Sequence, residues 1–74
     1  MEKIFNHPEY GNVVVRNAMF DIDGTTLDEG IEIKFIEEDF PIIEQYGWVD
    51  IDELTDDDVV EMIDDYIAFH NMFA

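Results

Sequence analysis

The chain has no cysteine, only three basic residues and no long apolar run. Without cysteine it can form neither a disulfide nor a thiolate zinc site, and catalysis by a thiol is excluded. No stretch approaches the roughly 18 to 20 apolar residues that span a bilayer, and the N-terminus lacks the apolar core of a secretory signal. Three basic residues are too few to bind the phosphates of a nucleic acid. We therefore expect a cytoplasmic protein that does not contact nucleic acid directly.

Apolar residues make up 47% of the 74 residues, and they include six Phe, three Tyr and one Trp. Disordered acidic segments are poor in these residues, so the composition indicates a folded chain. A chain of this length forms one domain, which we assign to residues 1–74, and its core lies near the lower size limit for independent folding.

The net charge of −17 is unevenly distributed along the chain. Residues 1–20 hold two acids and two bases, whereas residues 21–74 hold 18 acids and a single base, Lys34. Dense like charge destabilises a compact state, although it maintains solubility and creates a strong field. Solubility alone requires a net charge of about 2 to 8 in a small domain. The excess indicates that the acids serve to bind a partner.

The first half of the chain predicts three strands joined by short turns. Apolar residues 4–5 precede a segment with Pro and Gly that punctuates a turn, and residues 13–22 are rich in β-branched and aromatic types. Their alternation is imperfect at Arg16 and Asn17, which predicts a bulge or a bend. Residues 31–36 alternate between apolar and polar side chains, as a half-buried strand does. We expect an antiparallel meander.

The second half of the chain predicts two helices. Asp39 can cap a short helix that Gly47 ends, and Thr55 and Asp58 have the spacing of a capping box at the start of a second helix. The fold class predicted is therefore α+β, a three-stranded antiparallel meander followed by two helices (βββαα). Rotation by 100° per residue gives the second helix an apolar stripe. This stripe comprises Val59, Met62, Ile63, Tyr66, His70 and Phe73.

Six carboxylates occupy the ten positions from Asp56 to Asp65. Ten helical residues extend about 15 Å, so this segment carries about one charge per 2.5 Å. A DNA duplex carries one charge per about 1.7 Å of its axis, and carboxylates accept charge-assisted hydrogen bonds from guanidinium groups as phosphates do. A solvated acidic face is the ordinary alternative, but such a face normally carries interspersed bases, which this segment lacks.

These observations predict a nucleic-acid mimic that blocks the cationic nucleic-acid site of a partner protein, with neither catalytic residues nor a cofactor. Further acids precede each predicted helix in the segments EED and DIDE. The predicted partner-binding residues are Glu37, Glu38, Asp39, Glu44, Asp50, Asp52, Glu53, Asp56, Asp57, Asp58, Glu61, Asp64 and Asp65.

The segments EED, DIDE and DDDVVEMIDD, in a small chain without cysteine, resemble the small acidic inhibitors of bacterial defences that phages encode. That class includes anti-CRISPR, anti-restriction and uracil-DNA glycosylase inhibitor proteins. The resemblance is one of composition over residues 21–74. It implies that the target is the DNA- or guide-RNA-binding channel of a host nuclease, with a CRISPR effector as the first candidate. Residues 4–15, IFNHPEYGNVVV, also resemble the first hairpin of phage antirepressor domains.

Residues 19–30, MFDIDGTTLDEG, resemble the nucleophile motif of haloacid dehalogenase-type phosphatases. That resemblance implies Asp21 as the nucleophile, Asp23 as the general acid/base and Mg²⁺ between them. The fold of these phosphatases contains a doubly wound parallel sheet, and this chain has no room for its crossover units of about 30 residues each. The alternative is an ordinary Asp-Gly loop between strands. The segment can also be aligned with a calcium loop. The ligand positions of that alignment are Asp21, Asp23, Thr25, Glu29 and Glu32.

Two further expectations concern histidines and apolar residues. His7 lies in a turn segment and is expected at the surface, whereas His70 lies on the apolar stripe and is expected to be at least half-buried. A different class of function also remains open. In that alternative the chain is a general protein-interaction module with an apolar patch near Trp48 and Met72.

Overall fold

The computed structural model describes residues 1–70, which form one four-stranded antiparallel sheet, a 3-10 turn and an α-helix. The strands are β1 (Glu2–His7), β2 (Gly11–Asp21), β3 (Leu27–Phe35) and β4 (Ile43–Tyr46), in the spatial order β1-β2-β3-β4. The 3-10 turn spans Ile51–Glu53, and α1 spans Asp56–His70. Neither helical segment of residues 1–70 has the length and apolar character needed to cross a membrane.

The predicted fold class, three strands followed by two helices, is wrong. The segment predicted as the first helix, residues 39–47, contains β4, in which Ile43 pairs with Ile33 of β3. Ile43 is buried, whereas Glu44 and Tyr46 are exposed, as strand alternation requires. The edge of β3 offers backbone partners and an apolar position for Ile43, and this tertiary pairing overrides the local capping signals.

No bulge interrupts β2 between residues 11 and 21, so the irregularity expected at Arg16 and Asn17 is absent from this strand. Arg16 pairs with Glu32 and Asn17 with Ile31 in a continuous register. Asn17 lies on the helix-facing side of the sheet, where its amide donates a hydrogen bond to the backbone carbonyl of Val49 at 3.4 Å. A polar residue at an apolar position disturbs the sequence pattern without disturbing the ladder of hydrogen bonds.

The predicted start of α1 is confirmed. Thr55 Oγ1 accepts a hydrogen bond from Asp58 N at 3.2 Å, and Asp58 Oδ2 accepts one from Thr55 N at 3.0 Å. This reciprocal pair is a capping box. Val59 and Ile63 of the predicted stripe are buried, and Met62 and Tyr66 are partly buried. His70 is exposed, so the expectation that it is at least half-buried is wrong; its Nδ1 lies 3.2 Å from the carbonyl oxygen of Tyr66. Phe73 lies outside the described residues.

The core lies between one face of the sheet and the two helical segments. An aromatic cluster of Tyr10, Phe35 and Phe40 closes one end, with ring centroids 5.1 to 6.0 Å apart in edge-to-face geometry. The buried core itself is mostly β-branched. It comprises Phe5, Val13, Val15, Ile31, Ile33, Phe35, Ile43, Ile51, Val59 and Ile63.

The opposite face of the sheet, here called the open face, is largely exposed. Ile4 of β1 and Tyr46 of β4 are both more than half exposed there. Phe20 is buried because its ring lies over Gly30, where an added Cβ would come within 2.6 Å of a ring carbon. The absence of a side chain at Gly30 therefore lets Phe20 pack flat on the sheet beside Tyr46, at 4.9 Å between ring centroids.

Ile63→Val tests whether the contact of α1 with the sheet limits stability. Ile63 is fully buried, so loss of one methylene is expected to lower the free energy of unfolding by about 0.5–1.5 kcal/mol. The matched control is Ile4→Val at an exposed position, where the change is expected to stay within about 0.5 kcal/mol. Urea denaturation of both variants measures the difference, and equal effects would contradict the core assignment.

Candidate acidic interface on α1

Three of the six carboxylates of α1 are engaged in hydrogen bonds within the fold. Asp56 Oδ1 accepts a bond from the backbone N–H of Asn6 at 3.2 Å, Asp58 caps the helix, and Asp64 Oδ1 lies 2.9 Å from Nε2 of His7. Asp56 and Asp64 thereby attach α1 to β1, the edge strand of the sheet. The positions of these three carboxylates are therefore set by the fold.

His7 is buried, at 3% exposure, and the expectation of a surface position is wrong. Its Nδ1 accepts the backbone N–H groups of Glu9 and Tyr10, at 3.0 and 3.2 Å. Because an accepting ring nitrogen carries no proton, Nε2 carries the ring N–H and donates a hydrogen bond to Asp64 Oδ1. The ring does what an Asn or Asp side chain does at the first position of a turn, namely accept backbone donors two and three residues on.

The other three carboxylates of α1 form what we call the acidic row: Asp57, Glu61 and Asp65. They lie at i, i+4 and i+8, so successive members are about 6 Å apart along the helix axis. None of them forms a hydrogen bond or ion pair with any of residues 1–70. Phe69, four residues further on, continues the same line and is 85% exposed. An exposed aromatic ring therefore follows the acidic row along α1.

The remaining predicted partner-binding residues outside α1 lie on several separate elements. Asp50 accepts a hydrogen bond from Asp52 N at 3.1 Å at the 3-10 turn, and Asp52 and Glu53 are exposed just before α1. Glu37 accepts a hydrogen bond from the backbone N–H of Asn12.

Glu44 is the clearest misassignment among the predicted partner-binding residues. It lies on the open face, opposite Glu32 of β3 and on the other side of the sheet from α1. The expectation that a helix would carry it beside the other acids fails because residues 43–46 form a strand.

The phenol of Tyr10 is influenced by charges of both α1 and the loop after β3. Partial burial raises the pKa of Tyr10, and the charges of Glu9, Asp64 and Glu38 raise it further. Glu38 and Asp39 are exposed in this loop.

Two of the three bases, Arg16 and Lys34, lie on the open face, on the other side of the sheet from α1. Arg16 forms an ion pair with Glu32 on the open face, with 2.8 Å between Nη2 and Oε2, and Lys34 lies on the same face. The ammonium of Lys3 lies 5.7 Å from the ring centroid of Phe5. Within residues 1–70, no Lys or Arg forms an ion pair with a carboxylate of α1.

The carboxylates of the Asp-Gly segment hold the loop after β2. Asp21 Oδ1 accepts the N–H of Gly24 at 2.7 Å, and Asp23 Oδ1 accepts those of Thr25 and Thr26 at 3.0 and 2.7 Å. The hydrogen bonds from Thr25 and Thr26 lower the pKa of Asp23. The stabilisation from this carboxylate is therefore present above the ordinary pKa of Asp and is lost as the pH falls through the lowered value.

The calcium-loop alignment does not correspond to a cluster of ligands. Glu29 pairs with Met19 and Glu32 with Arg16, so the two carboxylates lie on opposite faces of β3. Among residues 1–70, no group of three or more His, Asp or Glu side chains is placed to hold a metal ion.

Comparisons with protein-family models, with curated proteins and with solved structures found no match. The function is therefore inferred from the arrangement of the residues themselves.

Glu61→Gln is expected to raise the melting temperature at low salt. Glu61 has an acidic residue at each of the positions i−4, i−3, i+3 and i+4, and like charges at these spacings are destabilising. The gain should shrink as ionic strength rises from about 0.01 to 1 M, because the Debye length falls from about 30 to 3 Å. Thermal unfolding at several salt concentrations measures it. Glu2→Gln is the control, since Glu2 lies opposite Arg16 and should show no gain.

His7→Leu is expected to lower the free energy of unfolding by about 1–3 kcal/mol, because the part-buried backbone N–H groups of Glu9 and Tyr10 lose their acceptor. The control is His70→Leu at an exposed position, which should change stability by less than about 0.5 kcal/mol. Urea denaturation followed by circular dichroism gives both values. If the two substitutions had equal effects, His7 would not organise the turn between β1 and β2.

Proposed function

We propose that this chain is a non-enzymatic inhibitor that occupies the cationic nucleic-acid site of a partner protein by imitating a polyanion. The observation that supports the proposal is the acidic row, in which Asp57, Glu61 and Asp65 have no partner among residues 1–70. Like charges at i, i+4 spacing within the row oppose helix stability, and no Lys or Arg among residues 1–70 pairs with them. A cationic partner would supply the missing counter-charges.

The attachment of α1 to the sheet makes the row suitable for this role. Val59 and Ile63 are buried in the core, and Asp56 and Asp64 bind β1, so the helix is held in place. Fixed charges lose little conformational freedom on binding, which lowers the entropic cost of association. Lys and Arg side chains arranged for phosphates can donate charge-assisted hydrogen bonds to carboxylates held in this way.

The charge density of α1 is comparable with that of one strand of a nucleic acid. The acidic row alone has one charge per about 6 Å of helix axis, against one per about 3.4 Å for a single strand of a duplex. Asp58 lies three residues before Glu61 and Asp64 three residues after it, so both flank the row. The Asp64 side chain remains 56% exposed. Together the five carboxylates approach the density of a phosphate backbone.

The compositional resemblance to phage inhibitors guides the choice of partner. We propose a nuclease of a bacterial defence system as the target, with a CRISPR effector as the first candidate, and the cytoplasm of a bacterial host as the compartment. An inhibitor of this kind needs no chemistry of its own, because exclusion of DNA or guide RNA from the channel suffices.

The variant Asp57→Asn/Glu61→Gln/Asp65→Asn is expected to lose most of its ability to displace a nucleic acid from a basic site. Each lost ionic contact should also lower the slope of log affinity against log salt by about one unit. A matched control, Glu2→Gln/Asp28→Asn/Glu44→Gln, removes the same number of charges from the open face. The measurement is displacement of fluorescent DNA or guide RNA from a CRISPR effector nuclease and from a restriction endonuclease.

Equal losses in the two triple variants would mean that net charge, and not the acidic row, governs binding. Failure of the parent chain to displace the nucleic acid from either nuclease at low salt would contradict the proposed function. Thermal unfolding of both variants confirms that they are folded, and the row variant should melt higher than the parent at low salt.

A second candidate function is favoured by an apolar patch at another place on the molecule. Trp48 is 69% exposed and borders a groove of about 500 Å³ together with Met1 and Met19, which are also exposed. A patch of this kind serves binding to another protein. Met72, the other residue expected there, lies outside the described residues. Association through this patch would depend little on salt and would be lost in Trp48→Ser.

A further inference from the structure

A groove of about 940 Å³ runs along α1 on the side that faces β4. Its apolar lining includes Leu54, Met62, Tyr66 and Phe69. The first three are partly buried against the core, whereas Phe69 projects into solvent. The groove is therefore an open depression whose apolar part is bordered by the exposed ring of Phe69.

Carboxylates border the same groove. Asp58, Glu61 and Asp65 line it, and its described lining includes no Lys or Arg. From Asp58 to Phe69 the lining residues of α1 follow helical spacing over about 17 Å of its axis. Acidic and apolar side chains thus lie together along one wall: Asp58, Glu61, Met62, Asp65, Tyr66 and Phe69.

We propose that this groove binds a basic amphipathic segment of the partner protein. An apolar anchor side chain of that segment lies between Met62 and Phe69, and Lys or Arg side chains on either side of the anchor pair with Glu61 and Asp65. The inference rests on the proposed function and specifies which part of the partner is recognised. It also identifies Phe69, which the charge pattern did not single out, as a residue that determines specificity.

The charge of the groove selects this occupant over others. A nucleic acid is repelled by the carboxylates, and a second copy of this chain would bring a further net charge of −17 to the same place. A purely apolar segment would leave the carboxylates without counter-charges. A segment that combines bases with an apolar residue satisfies both parts of the lining.

The apolar anchor would also allow the groove to distinguish one basic segment from another. Solvated ion pairs contribute little individually, so carboxylates alone would bind many polycations with similar weak affinity. An apolar side chain seated in the groove excludes water from the neighbouring pairs, and groups surrounded by such contacts dominate binding. Affinity would then depend on the position of the anchor relative to the bases, and not only on the number of bases.

The test uses two synthetic peptides of about 12 residues, a length that covers the groove as a helix. Both carry the same Lys and Arg residues. One has Leu at the central anchor position and the other has Ser. Isothermal titration calorimetry with the whole chain should give at least about tenfold tighter binding for the Leu peptide at about 0.15 M salt, a difference equivalent to one well-buried side chain. This ratio should persist at higher salt while both affinities fall.

Phe69→Ser should abolish the difference between the two peptides without weakening the Ser peptide. Leu27→Ser is the matched control, because Leu27 is exposed but lies outside the groove, and it should leave the ratio unchanged. Both substitutions are at exposed positions, and circular dichroism verifies that the variants are folded.

Equal affinity for the Leu and Ser peptides in the parent chain would overturn the groove inference. The proposed function would then still be decided separately, by displacement of nucleic acid from the two nucleases. Failure of both peptides to bind would also overturn the inference. So would sedimentation showing that the parent chain is a dimer and that Phe69→Ser is a monomer, because the groove would then be filled by a second copy.

Discussion

The contact between α1 and the sheet is the interaction on which the rest of the structure depends. Val59 and Ile63 bury their side chains in the core, and the His7–Asp64 hydrogen bond joins the helix to the edge strand. Without this apolar contact, a helix with so many like charges would not remain folded, because its own carboxylates repel one another. The sheet therefore provides the stability that α1 lacks by itself.

This contact divides the acids of α1 into two groups with different roles. Asp56, Asp58 and Asp64 accept hydrogen bonds from the fold and define where the helix begins and how it lies. The acidic row has no such role within residues 1–70, and its like charges at i, i+4 spacing oppose helix stability. The proposed interface gives these residues a role outside the fold. The basic residues of the open face, by contrast, lie among acids of their own.

Much of the local structure could be predicted from the sequence, because the signals are local. The capping box of Thr55 and Asp58, the β-branched run of β2 and the alternation in β3 each lie within a few residues. The identity of β4 could not be predicted in this way. Asp39 and Gly47 carry helix-end signals, and only the free edge of β3 makes a strand of the residues between them.

The same limit applies to the candidate site. The acids of α1 were identified from their spacing, but Glu44 was misplaced because the segment around it is a strand. The burial of His7 depends on backbone donors in the following turn and on a carboxylate 57 residues away. Phe69 was not assigned to the site, although its position four residues after Asp65 predicts the polar side of the helix, and the structure shows that it is 85% exposed.

The uneven distribution of charge between the two sides of the sheet has a consequence for how the molecule approaches other molecules. Arg16 and Lys34 lie on the open face among the acids of its strands, whereas α1 carries six carboxylates and neither Lys nor Arg, so negative charge is denser on the helix side of the sheet. Near a cationic surface this asymmetry produces a torque that turns α1 towards that surface before the two touch. A larger fraction of collisions would then begin with the helix foremost, and association would be faster than random orientation permits.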